Sequence, residues 1–178
     1  MDAYELVKRT GYAMIEDSVM AAVFGLWVLM ELNWSDPFEP GRTEPGYAIT
    51  LNDTVVQKAS NGFELRVSYY TDQTIGPVQL MWDGSITQKG GAYAGLAARM
   101  EQGFGPGYFT ASVGAGLWHR GNDADLGFPI VFRSDAEFGV QVTETSRVGF
   151  TLGHRSNANL GEPNTGIETV GVRYSTRF

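Results

Sequence analysis

RVGFTLGHRS (residues 147–156) and ETVGVRYSTRF (residues 168–178) alternate apolar with polar or small side chains. Successive side chains of a β-strand take opposite faces. Read as strands, the first stretch places Val148, Phe150, Leu152, His154 and Ser156 on one face, and Arg147, Gly149, Thr151, Gly153 and Arg155 on the other. The second puts Glu168 with Val170, Val172, Tyr174 and Phe178, against Thr169, Gly171, Arg173, Ser175 and Arg177. A hydroxyl, an imidazole and a carboxylate therefore share the apolar faces of two consecutive strands.

Working outward, the same pattern runs back to residue 46. Alternating segments separated by turn clusters fall at about 46–55, 62–71, 77–87, 91–101, 107–118, 129–142, 146–156 and 167–178. Phe63, Leu65, Val67 and Tyr69 oppose Glu64, Arg66, Ser68 and Tyr70. Phe109, Ala111, Val113, Ala115 and Leu117 oppose Thr110, Ser112, Gly114 and Gly116, and Ile130, Phe132, Ala136, Phe138, Val140 and Val142 oppose Arg133, Asp135, Glu137 and Gln141. Eight antiparallel strands can close into a small barrel, which removes exposed edges. Their length also suits a tilted transmembrane strand of roughly 9–11 residues.

Alternation does not say which face is inside. A soluble, ligand-carrying barrel turns its apolar face inward, whereas an outer-membrane barrel turns it outward. The polar face mixes small residues with Glu64, Arg66, Asp83, Arg99, Arg133, Asp135, Glu137, Arg173 and Arg177. Charges of both signs can pair across a narrow lumen, where an unpaired charge is costly. The expected fold is therefore all-β, an eight-stranded antiparallel transmembrane β-barrel in a bacterial outer membrane, ending on a terminal aromatic. A soluble barrel would instead have Phe150, Leu152 and Val172 lining an internal cavity.

Composition agrees with one barrel domain. The chain has 178 residues, 43% of them hydrophobic, and no cysteine, so disulfides and thiolate metal sites are excluded. A net charge of −7 argues against nucleic acid as a partner. The only lysines, Lys8, Lys58 and Lys89, lie outside the expected strands, an unusual shortage for a surface wholly in water.

Residues 1–45 do not follow the barrel pattern and are expected to form a separate N-terminal segment ahead of a barrel domain at 46–178. Val19 to Met30 is an uncharged apolar run, shorter than the roughly 20 residues of a spanning helix. It reads as a degenerate signal peptide or the product of a wrongly chosen start codon, or else as a retained amphipathic helix on a membrane surface. Pro37, Pro40 and Pro45 mark residues 35–46 as a linker in either case.

If the barrel begins and ends on the periplasmic side, Thr143 to Ser146 is a short periplasmic turn and the connections 119–128 and 157–166 face outward. His154 and Ser156 then lie at the outer rim. A serine hydroxyl becomes a useful nucleophile when a histidine takes its proton, and a carboxylate fixes the histidine tautomer. His154 and Ser156 can approach if the strand bends, and Glu168 opens the neighbouring strand. By chance alone His154 would be an interfacial ring and Ser156 a loop-capping hydroxyl. Glu168 weighs against that, because an acid on a lipid face is expensive unless paired.

The segment HRSNANL, followed by EPNTGIE and a strand ending in YSTRF, resembles the PagL-type lipid A 3-O-deacylases, with their pattern H-x-S-N-A and then P-N-x-G-x-E. The resemblance is specific over about 25 residues and architectural over the rest of the barrel. It implies a serine hydrolase that removes the ester-linked 3-position acyl chain from lipid A in the outer leaflet. Ser156 is then the nucleophile, His154 the general base and Glu168 the orienting acid. It further implies an oxyanion site at Asn164, with Asn159 supplying a backbone N–H. Family members often carry glycine where this chain has Asn159, and glycine permits backbone conformations that other residues resist. Asn157 reads as a loop-shaping residue.

A non-catalytic barrel, adhesin or structural, is the alternative, with the three residues pointing apart and loop 157–166 binding a partner. A homodimer is compatible with the sequence. No metal or cofactor is expected: His119 lacks an accompanying acid-histidine cluster, and no glycine-rich phosphate loop precedes a helix. Trp82, Trp118 and Tyr108 read as interface-belt or packing aromatics.

Overall fold

A computed structural model describes residues 40–178; the apolar run Val19 to Met30 lies outside the described residues. The strands are β1 (Pro40–Arg42), β2 (Gly46–Val56), β3 (Ala59–Ile75), β4 (Val78–Thr87), β5 (Ala92–Phe104), β6 (Gly107–His119), β7 (Ile130–Gln141), β8 (Ser146–Ser156) and β9 (Ile167–Arg177). Each of β2 to β9 pairs antiparallel with its chain neighbour, and β2 also pairs with β9, so eight strands close into a barrel. The short β1, within the stretch expected to be a linker, pairs with Gln73 to Ile75 of β3. Two- to four-residue turns join the strands at one rim, and the connections 120–129 and 157–166 lie at the other.

The apolar face is outside. Phe63, Leu117 and Val172 are about three-fifths exposed, at 60%, 64% and 57%, and Phe150, Leu152, Val170 and Tyr174 are exposed as well. Glu64 and Arg66, one residue along from Phe63 and Leu65, are 0% and 1% exposed. This arrangement rules out the soluble ligand-carrying barrel, because the side chains that would line its cavity face away from the lumen.

Charge pairing fills the lumen. The Arg66 guanidinium donates to Asp83 at 2.6 Å and to Asp135 at 2.8 Å, Arg133 donates to Glu64 at 3.0 Å, and Arg173 donates to Glu137 at 3.0 Å. Asp83, Arg99, Arg133, Asp135, Glu137 and Arg173 are all buried, as expected. Arg177 departs from that expectation: it is half-buried at the turn rim, where it reaches Glu101 at 2.8 Å. Its position at the end of β9 leaves it beyond the narrow part of the lumen.

At the loop rim the charged interior gives way to an apolar plug of Tyr93, Trp118, Leu126, Val131 and Ile167. Leu126 comes from loop 120–129, which folds over the barrel mouth. Trp118 and Tyr108 point inward and pack in the lumen, while Trp82 is exposed on the outer face.

Candidate active site

Register places the three residues of interest at the loop rim. His154 on β8 is directly opposite Glu168 on β9. His154 Nδ1 and Glu168 Oε1 are 2.6 Å apart, with both side chains partly exposed on the outer face. When the carboxylate accepts the Nδ1 hydrogen, Nε2 is left with a lone pair, the tautomer needed to receive a proton. Ser156 is two residues further along β8 on the same face, roughly 6.6 Å along the strand from its rise per residue. Among the described residues its hydroxyl makes no hydrogen bond. The structure thus joins His154 to Glu168 and sets Ser156 beside them without a Ser156–His154 hydrogen bond.

Between the two outward residues, Arg155 turns into the lumen and is 1% exposed. Its guanidinium donates to Glu64 and lies 4.9 Å from the Tyr93 ring centroid and 4.7 Å from that of Trp118. These contacts hold the backbone of β8 from behind, which fixes the directions of His154 and Ser156. Sequence alternation assigned Arg155 to the inner face but gave no sign of this anchoring role.

Gly166 shapes the other side of the imidazole. Its φ is +66°, and a Cβ built there would lie 3.2 Å from His154 Cε1. Both the backbone conformation and the close approach favour glycine at this position.

The loop after Ser156 is organised by asparagines. Asn157 is fully buried and donates through Nδ2 to the carbonyls of Leu126 and Gly161, each at 2.6 Å. The Asn157 backbone N–H donates to Asn164 Oδ1 at 3.1 Å, which brings the Asn164 amide next to Ser156. Asn164 Nδ2 donates to Asn159 Oδ1 at 3.0 Å and retains its second hydrogen. The Asn159 backbone N–H already donates to Asn157 Oδ1 at 2.8 Å. Ala158 and Asn159 have φ of +51° and +63°, so the left-handed conformation is reached without the glycine common in the family pattern. Asparagine tolerates this region better than most residues.

A family model described as "Lipid A 3-O-deacylase (PagL)" matches residues 24–177. A lipid A deacylase PagL from Bordetella bronchiseptica is 32% identical over 73 residues; the match spans 40% of this chain and 41% of that relative. The crystal structure of the outer membrane enzyme PagL superposes with a TM-score of 0.58 at 17% identity, covering 75% of this chain and 99% of the other. Neisserial surface protein A gives a TM-score of 0.57 at 11% identity, over 79% of this chain and 99% of the other. Two structures so different in sequence share one barrel, so the fold leaves the chemistry to the side chains.

Proposed function

Because this chain belongs to the lipid A 3-O-deacylase (PagL) family, and has the barrel of an outer-membrane protein, we propose that it hydrolyses the 3-position acyl ester of lipid A in the outer leaflet. The observation that carries the reading is the 2.6 Å His154–Glu168 pair on a lipid-facing surface, with Ser156 on the same strand face. Residues 46–178 are the hydrolase unit in this reading.

His154 Nε2 takes the Ser156 proton as Oγ attacks the ester carbonyl, and Glu168 stabilises the imidazolium through Nδ1. The tetrahedral oxyanion forms beside the start of loop 157–166. The second hydrogen on Asn164 Nδ2 is the donor available to it, and such a donor is typically worth about 3 kcal/mol in the transition state. Collapse expels the sugar 3-hydroxyl, which takes the proton from His154. Water activated by the same histidine then releases the fatty acid. The Asn159 backbone N–H, held by Asn157, can join the oxyanion site only if the loop rearranges.

The site opens sideways to lipid, so substrate arrives within the leaflet. Purified protein incubated with lipid A should release one 3-hydroxy fatty acid and leave the other chains in place, as read by mass spectrometry. Release of secondary acyl chains instead would remove this chain from 3-O-deacylation. A water-soluble acetate ester should be a poor substrate, since each missing methylene forfeits about 0.8 kcal/mol of apolar contact. Equal turnover of that ester and lipid A would contradict a lipid-facing site.

Gly166→Ala tests the placement of the base. The added methyl presses on His154 Cε1 and strains a backbone at φ +66°. The expected result is a loss of roughly tenfold in kcat, because small displacements of a reacting group are costly. Wild-type kcat in the folded variant would show that Gly166 does not set the imidazole position.

A further inference from the structure

On the outer face one transverse row of paired residues crosses the site. Val55 of β2 is opposite Glu168 of β9, Glu168 opposite His154 of β8, and His154 opposite Ser134 of β7. Val113 of β6 and Ala98 of β5 continue the row. Three adjacent polar side chains therefore stand between apolar neighbours, Val55 on one side and Val113 and Ala98 on the other, with Ser60 of β3 beyond Val55, and the mechanism above uses only two of the three.

Ser134 is also exceptional along its own strand. The other outward residues of β7 are Ile130, Phe132, Ala136, Phe138 and Val140. Its side chain is partly exposed, and its hydroxyl has no hydrogen-bond partner among the described residues. An unpartnered hydroxyl facing hydrocarbon is unfavourable. A polar group arriving with the substrate would complete it.

Distance identifies that group. Ser156 is opposite Phe132, so Ser134 is its diagonal neighbour, roughly 7–8 Å away between Cα atoms and less between Cβ atoms. A carbonyl carbon poised for attack lies about 3–3.5 Å from the nucleophilic oxygen. The hydroxyl of a 3-hydroxyacyl chain is three bonds beyond that carbon, and a hydrogen bond of about 2.8 Å spans the remaining gap to Ser134. A hydroxyl is both donor and acceptor, so two hydroxyls are mutually suited. The rest of the chain can run down the barrel over Leu152, Ala136 and Phe138, which offer only apolar contact.

We propose that Ser134 is a specificity-determining residue that hydrogen-bonds the β-hydroxyl of the acyl chain being released, so that the site selects 3-hydroxyacyl esters over unsubstituted ones. The proposal rests on the hydrolase reading above and goes beyond it by assigning chain selectivity to a named side chain outside the His154–Glu168–Ser156 set.

The test compares two lipid A substrates that differ only in the β-hydroxyl of the 3-position chain, presented in mixed detergent micelles. The full-length wild type, Ser134→Ala and Ser134→Thr are assayed by fatty-acid release, with folding checked by heat-modifiable gel mobility. The wild type should favour the hydroxylated chain about tenfold in kcat/KM, the size of one hydrogen bond. In Ser134→Ala that ratio should fall to near one through loss on the hydroxylated substrate, and Ser134→Thr, which keeps a hydroxyl, should retain most of it. Equal slowing of both substrates in Ser134→Ala would make Ser134 a support for His154 and overturn the proposal. Cleavage of both substrates by the wild type without discrimination would overturn the proposal alone, even if Ser134→Ala failed to fold. Cleavage of neither would overturn the hydrolase reading and the proposal with it.

Discussion

Ser156→Ala is expected to lower fatty-acid release from lipid A by on the order of 10³-fold or more while the barrel stays folded. The hydroxyl is partly exposed on the outer face and makes no hydrogen bond among the described residues, so its removal neither opens a cavity nor strands a partner. His154→Ala should give a loss of similar size, and the double variant should be little worse than either single one, because nucleophile and base act as a unit. Glu168→Gln should retain more activity, since an amide still holds the ring but stabilises the imidazolium poorly. Mass spectrometry of released 3-hydroxy fatty acid reads the rates, and heat-modifiable gel mobility reads the fold. Ser156→Ala protein releasing product at the wild-type rate would exclude the nucleophile assignment.

The barrel was largely legible because lipid and lumen impose opposite demands on alternate residues. The expected stretch 146–156 is β8 itself, and 46–55, 107–118 and 167–178 differ from β2, β6 and β9 by a single residue at one end. The largest departure is β3, expected at 62–71 and observed as Ala59–Ile75; β5 also runs three residues past its expected end, to Phe104. Thr71, Asp72, Gln73 and Thr74 form a polar run with no alternation, yet part of it is paired with β1 and β4. Hydrophobic periodicity reports contact with lipid, not hydrogen bonding. A strand that continues past the apolar band therefore loses its signal while keeping its ladder.

At the site, strand period and turn position were enough to bring His154 and Glu168 to one face, and the family pattern supplied the roles proposed for them. What stayed hidden came from long-range contacts. Arg155 was visible as an inward residue, but its contacts with Glu64, Tyr93 and Trp118 join strands far apart in sequence. The hold of Asn157 on the Leu126 carbonyl likewise links two loops whose sequences give no sign of meeting. Ser134 passed unmarked in the alternation of 129–142, and only the register sets it against His154.

The second large effect is one of stability. Glu64 is 0% exposed and accepts from Arg133, Arg155, Asn52 and Ser85, so its carboxylate offsets two buried guanidinium groups. Replacing buried ion pairs by apolar residues can be neutral, but removing one partner leaves uncompensated charge at a cost of about 3–5 kcal/mol. Glu64→Ala should therefore lower unfolding free energy by about that much, measured from the urea midpoint in lipid vesicles. Activity should fall as well, because Arg155 loses the contact that holds β8 between His154 and Ser156. Combining Glu64→Ala with Arg155→Met should recover part of the lost stability, since residues in one network couple rather than add. A shift under about 1 kcal/mol in the single variant would mean that the lumen network tolerates an unpaired arginine, and that packing by Tyr93 and Trp118 holds Arg155 without it.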